Sequence, residues 1–559
     1  MKRVFNNSPF SIIARHGAIP ISLYLLLFCL LTYPLILDFN TRFFTDAGDG
    51  LQNVWNIWWI NTAVSQPGIH PSIWHTDLLH FPFGTTLYGQ TLNPFNGLTA
   101  IALLRFLSLT HSFNTLVIFA FVMGGVTSYW LAYHLTRSFW GSIIAGYIFT
   151  FSSYHFAHYY GHMQLISLQW IPLFLLFWIL LLDRPTILLA LASSLSLYLV
   201  LLCDYYYFFY CILSGGLILL WRMIERRDIR FIFQRDYLIS LSSFIFLALA
   251  SAGQIVLPLM RLSRIDPFMD AHKPINFSLD LLALFIPGEA WKFSTWTEPY
   301  WSKLPLGLSE ASVYLGYAVI ILLFYLWLKR STVLFADSSK VTLWYLLLAF
   351  FFLMALGPAL QVGGKVIYDG IMPYTILETL LPFLKLSGVP VRMVVMVTLA
   401  ASMLCALALR ELIANFPKNR FLVFALLALL VFETVPGQLP STSTDVPSYA
   451  RALADLPDDG GVLDLAASTR YLQLYYQTAH HKPLAFGYVS RLPSSVAEKE
   501  TGLNRAVNRQ DYTKLWDSYH IRYLVTGDVI EYKNQYVSVE LVYQDGSTNI
   551  YRIECKCKK

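Results

Sequence analysis

Charged side chains are scarce in this sequence. Asp, Glu, Lys and Arg together make up 13% of its 559 residues, whereas a soluble domain has about 25%. Cysteines are also few: of the six, only Cys555 and Cys557 lie close together, which is half a zinc site at most. The chain contains no GxxxxGKS or GxxxxGKT motif and no GxGxxG motif after a predicted strand. These absences argue against a soluble domain, a disulfide-rich scaffold and a nucleotide-binding enzyme.

Hydrophobic residues dominate instead. They make up 56% of the chain, aromatic residues make up 16%, and the mean hydropathy is +0.52. This composition predicts a polytopic membrane protein that is mainly α-helical. The formal net charge of +6 fits Lys and Arg gathered in cytoplasmic loops, and it gives no reason to expect a nucleic-acid partner.

The beginning of the chain predicts its orientation in the membrane. Residues 1–17 carry Lys2, Arg3 and Arg15 and are therefore expected in the cytoplasm. The apolar run 18–37 is long enough to cross a hydrocarbon core of about 30 Å, and we expect it to remain as an uncleaved helix. Residues 38–112 then form a long external loop. This topology predicts an integral protein of the plasma (inner) membrane.

About eleven spans are predicted in all. This count requires that 97–109 does not span but lies on the outer surface or re-enters, because only then do the arginine-rich turns fall in the cytoplasm. The predicted spans are 18–37, 113–135, 140–153, 163–182, 187–203, 205–221, 237–257, 313–328, 341–360, 393–409 and 421–435.

The predicted domain organisation follows from these spans. Residues 18–436 form the transmembrane domain, which carries two more long external loops at 258–312 and 361–392. Residues 437–448 are a polar linker. Residues 449–559 are predicted to be an external soluble domain of α/β or α+β class, because strand-like and helix-like runs alternate and a hairpin turn is marked by Asp545-Gly546.

The stretch FFTDAGDGLQNVWNIWW is the most informative part of the first external loop. Asp46 and Asp49 lie on a glycine-containing turn, where one short loop can present both carboxylates. The alternative is that one of them only caps the helix that begins near Leu51. Three tryptophans at helical spacing follow, and they are predicted to lie at the membrane interface: Trp55, Trp58 and Trp59.

An external site cannot draw on cytosolic nucleotides, so a lipid-linked donor is the natural substrate. Such a site needs a carboxylate as general base on an acceptor hydroxyl, or as a ligand of a divalent cation such as Mg or Mn. Asp49 and Asp46 are the candidates for both roles. Two carboxylates without a third ligand are a weak metal signal, so the cofactor is left open.

The predicted substrate-binding residues lie in the other external segments. Lys385 and Arg392 could bind a lipid phosphate, although a basic residue at a helix end is often a plain interfacial anchor. His155, His158 and His162 have a spacing that would align them on one helix face, either as phosphate ligands or as interface residues. The remaining candidate is Glu289, which follows Pro287-Gly288 and could also be a solvated loop charge. Asp204 could cap a helix.

This arrangement resembles the GT-C superfamily of integral-membrane glycosyltransferases. The shared features are a first helix leading into a long external loop, paired acids early in that loop, a surface-lying helix, about eleven spans and an external C-terminal domain. The resemblance covers the whole chain in architecture, but the motif content is confined to Asp46 and Asp49, whose DAGD spacing is wider than the family's DxD-like pairs. It implies an inverting transfer from a polyprenyl-phosphate-linked sugar, with Asp49 as the base and Asp46 as its partner.

Two other functions fit the same architecture. A transporter or flippase for a lipid-linked glycan would carry ionisable residues at mid-membrane or show inverted repeats, and neither is found in the sequence. A noncatalytic envelope-assembly protein would keep the architecture and lose nothing when both acids are changed.

Overall fold

The structure is a computed structural model, which describes residues 14–269, 272–305, 308–330, 335–381, 384, 388–415, 420–532 and 534–556. The chain is mainly helical, with 63% helix. The helices are α1 (Ile19–Leu31), α2 (Asp49–Ser65), α3 (Pro94–Leu103), α4 (Leu109–Thr136), α5 (Phe139–Thr150), α6 (Ser153–His158), α7 (Met163–Ile166), α8 (Trp170–Asp183), α9 (Ile187–Cys203), α10 (Tyr205–Arg226), α11 (Arg235–Ile265), α12 (Glu298–Trp301), α13 (Leu308–Ala311), α14 (Tyr317–Lys329), α15 (Phe335–Ala355), α16 (Pro373–Leu380), α17 (Val394–Asn415), α18 (Arg420–Thr434), α19 (Ser448–Asp455), α20 (Arg470–His480), α21 (Ser494–Asn508) and α22 (Tyr512–Asp517).

Short strands occur between the helices, and longer strands lie near the C-terminus. The strands are β1 (Arg42–Phe43), β2 (His75–Thr76), β3 (Thr85–Thr86), β4 (Leu360–Val362), β5 (Lys365–Tyr368), β6 (Thr442–Ser443), β7 (Gly461–Asp464), β8 (Ile521–Thr526), β9 (Val537–Asp545) and β10 (Thr548–Cys555).

Seven helical segments of the described chain are long and apolar enough to cross a membrane, judged by length and composition. They are Ala14–Leu31, Leu109–Thr136, Met163–Asp183, Tyr205–Arg226, Arg235–Ile265, Ser338–Ala355 and Pro390–Asn415. The protein is therefore an integral membrane protein. The other four predicted spans contain the shorter helices α5, α9, α14 and α18, so the count of eleven stays a prediction.

Helix α11 is longer than the predicted span at 237–257. The second long external loop is predicted to begin at Pro258, a residue type that often ends a helix. In the structure the helix continues through Pro258 to Ile265. Proline is tolerated inside apolar helices where neighbouring groups satisfy the freed carbonyl. Helix α11 therefore extends about two turns beyond the predicted end of this span, and the start of the external loop stays a prediction.

The described residues pack into two compact units. The helical unit comprises the residues up to Asp38 together with Thr115–Gln254 and His272–Pro440. Its central element is α17, which is buried along nearly its whole length and packs against α5, α14 and α15. A helix that is apolar all round fits this position, because it has no face that prefers water.

The sheet unit comprises Phe39–Asn114, Ile255–Ala271 and Ser441–Lys559 within the described residues. Its largest sheet has the strand order β7-β8-β10-β9, with β7 parallel to β8 and the other pairs antiparallel. The hairpin predicted at Asp545-Gly546 joins β9 to β10. Most of the predicted first external loop thus packs in one unit with the C-terminal residues, while its external side and the predicted domain boundaries stay predictions.

Helix α2 is a core element of the sheet unit. It packs against α3 and α20, and a Cβ atom on Gly97 would lie only 2.2 Å from Cδ1 of Ile60. Glycine at position 97 is therefore required for the close approach of α3 to α2. The start of α2, which carries Asp49, is held by this packing.

Candidate active site

Asp46 caps the turn that leads into α2. Its Oδ1 accepts hydrogen bonds from the backbone N–H groups of Gly48, at 3.2 Å, and Gly50, at 2.8 Å. Gly50 is the second residue of α2, and its N–H has no partner within the helix. Capping, which the sequence analysis gives as an alternative for either acid, is thus the role of Asp46.

Gly50 is required by the packing of the same turn. A Cβ atom at this position would lie 2.1 Å from Oγ1 of Thr45 and 2.8 Å from Oδ1 of Asp46. The neighbouring Gly48 is different, since a Cβ atom there would meet Asp46 only at 3.4 Å. The Asp46 cap therefore depends on the missing side chain at position 50.

Asp49 is the first residue of α2 and is half-buried. Tyr471 and Tyr488 lie beside Asp49 in the sheet unit, close enough for its negative charge to act on both phenols. Their rings are in contact, with centroids 4.4 Å apart. Burial raises the pKa of both tyrosines, and the negative charge of Asp49 raises it further. Both phenols are therefore protonated at neutral pH.

Tyr471 and Tyr488 are not predicted from the sequence. They lie more than four hundred positions after Asp49, and no local motif connects a helix start in the first loop to tyrosines in the last stretch. The tyrosines are conspicuous only as members of an aromatic-rich C-terminal segment. Their place in the site follows from tertiary packing alone.

The two carboxylates of the turn influence each other. Burial raises the pKa of Asp46 above its usual range, and the charge of Asp49 adds to this rise. The hydrogen bonds from Gly50 and Gly48 oppose it. The net effect is a raised pKa, so Asp46 holds its proton to a higher pH than an exposed aspartate does.

The turn supplies only part of a cation site. Among the described residues no group of three or more His, Cys, Asp and Glu side chains is arranged to hold a metal ion. Asp46 and Asp49 would provide two carboxylates, and one oxygen of Asp46 is already occupied by backbone N–H groups. A Mg or Mn ion would need most of its ligands from water or substrate, so we assign the ion no step.

A buried polar network lies one turn beyond Asp49. Gln52 Nε2 donates to Gln90 Oε1 and to Oγ of Ser490, the latter at 2.7 Å, and the Ser490 N–H donates to Gln90 Oε1 at 3.0 Å. Gln90 in turn donates to Asn56 Oδ1 at 3.2 Å. Both glutamines are buried. Buried amides of this kind fix a local geometry because each lost bond would leave an unsatisfied group.

The tryptophans of α2 do not lie at a membrane interface. Trp55 is 0% exposed, Trp58 8% and Trp59 0%. They belong to the core of the sheet unit, together with residues such as Leu453 and Leu474. The prediction of an interfacial belt is therefore wrong. A tryptophan stripe at helical spacing fits a protein core as well as a membrane interface, and the C-terminal residues that cover it are distant in sequence.

The three histidines do not share one helix face. Helix α6 ends at His158, and Gly161 has a φ of +108° before His162. His155 is buried, with Nδ1 2.6 Å from the Thr150 carbonyl oxygen and Nε2 2.8 Å from that of Ile166. Burial lowers the pKa of His155 to about 4 and that of His162 to about 3. A continuous helix was the wrong inference, because the glycine turn interrupts it.

Arg392 lies in a buried ion pair in the helical unit. Its Nε and Nη2 donate to the same oxygen of Glu310, at 2.8 and 2.5 Å. The other Glu310 oxygen is 3.6 Å from Nε2 of His158. Burial alone would raise the pKa of Glu310, but Arg392 and His158 hold it well below its usual range. The sequence analysis does not identify Glu310, and Lys385 lies outside the described residues.

Asp204 and Glu289 are the last two acidic residues noted in the sequence. Asp204 caps α10, since its Oδ1 accepts from the N–H groups of Tyr206 and Tyr207 at 2.8 and 3.1 Å. Glu289 is half-buried, and burial together with the charge of Glu298 raises its pKa. The cap agrees with the sequence analysis, and a substrate-binding role for Glu289 stays a prediction.

Comparison with known proteins identifies the family of this chain. The profile described as a domain of unknown function, DUF6311, matches residues 21–434. The chain belongs to the DUF6311 family. No curated protein matches this DUF6311 chain.

Comparison with solved structures identifies the fold of this chain. This DUF6311 chain is similar to the arabinofuranosyltransferase AftD from Mycobacteria, with 14% identity over 96% of this chain and 41% of AftD and a TM-score of 0.56. It thus spans about two fifths of the length of AftD. Further similar structures are the oligosaccharyltransferase AglB from Archaeoglobus fulgidus in complex with an inhibitory peptide and a dolichol-phosphate (13% identity, 91% of this chain, 69% of AglB, TM-score 0.43) and ArnT from Cupriavidus metallidurans in the apo state (12%, 95%, 97%, 0.40). The chain has the GT-C fold.

Proposed function

We propose that this DUF6311 protein is a membrane glycosyltransferase. It moves a sugar from a polyprenyl-phosphate-linked donor to an acceptor hydroxyl of a cell-envelope glycan, lipid or protein on the external face of the membrane. The observation that carries the proposal is Asp49, a half-buried carboxylate at the start of α2 next to the Asp46 cap, in a chain of GT-C fold.

The proposed reaction is an inverting transfer. The acceptor oxygen attacks the anomeric carbon of the donor sugar while Asp49 takes the hydroxyl proton. The bond from the anomeric carbon to the phosphate oxygen breaks, and the polyprenyl phosphate leaves with the electron pair. Proton transfer to a positioned base contributes about a hundred- to ten-thousand-fold in rate. Asp46 supports this role indirectly, because its cap fixes the first turn of α2.

The donor subsite is also a proposal. Arg392, together with Lys385, is suited by charge to a lipid phosphate. His155, His158 and His162 lie in a different predicted external segment, the turn between the spans 140–153 and 163–182. The Glu310 pair already uses Nε and Nη2 of Arg392. We therefore expect Arg392 to attract phosphate less strongly than a free arginine does.

The test compares lipid-linked and surface glycans of cells with the gene, without it and with Asp49→Asn. The matched control is Asp517→Asn, which removes an exposed carboxylate of the sheet unit. Loss of one sugar from a glycan, with its acceptor precursor accumulating, is expected without the gene and with Asp49→Asn but not with Asp517→Asn. Normal glycans in Asp49→Asn cells, with a defect only on gene loss, would favour the envelope-assembly alternative.

A divalent cation is tested in the same system. If Mg or Mn joins the two carboxylates, a chelator reproduces the Asp49→Asn phenotype in isolated membranes, and Asp46→Asn fails as completely as Asp49→Asn. If Asp46 acts only as a cap, chelation leaves transfer intact and Asp46→Asn retains most of it.

A further inference from the structure

The hairpin formed by β4 and β5 follows the membrane-crossing segment Ser338–Ala355 and displays an apolar edge. Its turn is Gly363-Gly364, with φ of +63° and +76°, and a two-residue hairpin turn needs this left-handed conformation. All four side chains of β5 are exposed, on both faces of the strand. A two-stranded hairpin is only marginally stable in water, so this strand needs a further partner.

The turn of the hairpin is held to the helical unit. The Gly364 N–H donates to Oδ2 of the buried Asp280 at 2.8 Å, and Oδ1 of Asp280 accepts from the Tyr300 hydroxyl at 2.8 Å. Gln361 of β4 donates to the Ile275 carbonyl oxygen at 2.5 Å. These bonds fix β4 and the turn and leave β5 as the outer edge. The exposed strand therefore belongs to an anchored hairpin.

The exposed apolar surface continues from β5 into α16. Ile367 is 61% exposed, Ile371 79% and Leu380 70%. Ile376 lies four residues before Leu380 on the same face of α16 and is also exposed, whereas Tyr374 is buried on the other side. Exposed apolar patches of this kind mark a surface that binds protein or membrane.

A lipid-facing stripe next to this surface decides between the two partners. Helix α16 packs against α15, and α15 exposes Leu346, Ala349 and Leu353 at helical spacing. In an integral membrane protein, an apolar stripe exposed along a spanning helix faces lipid. Strand β4 begins five residues after the end of α15. The apolar surface of β5 and α16 therefore adjoins the surface that faces lipid.

We propose that β5 and the exposed face of α16 insert into the bilayer at the membrane surface where α15 ends. Interfacial elements bury apolar side chains about 5–10 Å into the boundary between headgroups and acyl chains. Tyr368 suits this depth, because its ring is apolar and its hydroxyl can stay hydrated. Lys365 and Asp369 carry opposite charges at the two ends of β5, so we expect insertion to rest on apolar contact and to occur in zwitterionic lipid. The proposal does not depend on the function of Asp49.

The test places a bimane fluorophore at single exposed positions. Full-length Ile367→Cys, Ile371→Cys and Leu380→Cys proteins are labelled and placed, at one copy per disc, in phosphatidylcholine nanodiscs with or without bromine on the acyl chains. Bromine quenches on contact, so a loss of emission reports burial in lipid. We expect these three labels to lose most of their emission in brominated discs and to be protected from iodide in the water.

Two control positions are labelled in the same way. Leu346→Cys lies on the lipid-facing stripe of α15 and should be quenched by bromine. Val529→Cys lies in the sheet unit, where the native side chain is 78% exposed, and should be quenched by iodide instead. Parental protein gives the background from native cysteines. Because all five side chains are exposed, their replacement leaves no cavity, and thermal unfolding checks that each variant is folded.

Labels at positions 367, 371 and 380 that respond to iodide and not to bromine would overturn the inference. The surface would then face water in discs that hold a single copy, and a protein partner or a second copy would become the better occupant. Bromine quenching of the same size at position 529 would also overturn it, because the fluorophore itself would then seek lipid.

Discussion

The carboxylate turn of the sheet unit and the Glu310–Arg392 pair of the helical unit use similar side chains differently. Asp46 and Asp49 are half-buried, and Asp46 accepts hydrogen bonds from two backbone N–H groups. Glu310 is buried against a guanidinium. A carboxylate bonded to neutral donors can still take up a proton, whereas one beside an arginine gives up its charge only at low pH. We therefore assign the proposed catalytic role to the carboxylate turn, and we expect the Glu310–Arg392 pair to stabilise the fold.

The largest expected effect tests the proposed catalytic role of Asp49. Asp49→Asn should lower transfer by about a hundred- to ten-thousand-fold, because an amide cannot take the acceptor proton. The melting temperature should stay close to the parental value, since the side chain is half-exposed and keeps its size. Radiolabelled or mass-tagged product formed by isolated membranes measures the rate. Parental rates in Asp49→Asn protein would contradict the assignment.

The second-largest expected effect tests whether the Glu310–Arg392 pair stabilises the fold. Arg392→Gln should destabilise the folded protein by about 3–5 kcal/mol, because it leaves the Glu310 carboxylate buried without its partner. The double variant Glu310→Gln/Arg392→Gln should recover part of this loss. Thermal unfolding in detergent measures both.

The matched control for the pair is Arg410→Gln, which breaks a partly exposed pair with Glu411 on α17 and should cost at most about 1 kcal/mol. If Arg392→Gln instead kept its melting temperature and lost only the use of the lipid-linked donor, the phosphate role predicted from the sequence would be correct.

A third prediction compares the two glycines of the turn. Gly50→Ala places a Cβ atom 2.1 Å from Thr45 Oγ1, and such overpacking costs about 1–3 kcal/mol. Gly48→Ala meets only an ordinary contact at 3.4 Å and should be nearly neutral. Thr45→Ala combined with Gly50→Ala should restore part of the stability, because the clashing Thr45 atoms are gone and only the 2.8 Å approach to Asp46 Oδ1 remains. Equal effects of the two alanines would show that the clash does not govern this turn.

The smallest effect concerns pH. The pKa of Asp46 is raised above its ordinary value of 3.8, so between the unfolded and folded pKa values the folded state binds more protons. The contribution of Asp46 to stability is therefore greatest at low pH and declines as the pH rises through this window. Asp46→Asn should remove this decline and keep the cap, since the amide oxygen still accepts from Gly48 and Gly50. Chemical unfolding between pH 4 and 7 should show a flatter stability profile in Asp46→Asn than in the parental protein; equal slopes would contradict it.

The sequence predicts those features that depend on neighbouring residues. The acids of the turn, the helix beginning beside Asp49, the Asp204 cap and the Asp545-Gly546 hairpin all follow from local backbone chemistry. The partners of the functional side chains do not. Tyr471, Tyr488 and Glu310 meet their partners only through the fold, and a single sequence carries no signal for contacts over such separations.

Two wrong predictions have the same physical origin. The tryptophan stripe of α2 and the histidine spacing around α6 were interpreted from periodicity alone. Periodicity shows that residues share a face but not what covers that face. For Trp55 and Trp59 the cover is protein, and for the histidines a left-handed glycine at position 161 ends the periodicity.

The strand pairing of the sheet unit also determines when this unit can fold during synthesis of the chain. Strand β1, at Arg42–Phe43, pairs with β6, at Thr442–Ser443, and the tryptophan face of α2 is covered by residues that follow β6. At 5–20 residues per second, the roughly 400 intervening residues take on the order of 20–80 s to synthesise. During that time the tryptophan face of α2 remains exposed, because the residues that pack on it have not yet been synthesised. A chain that is terminated near residue 440 would therefore be prone to aggregation, whichever helices had already inserted.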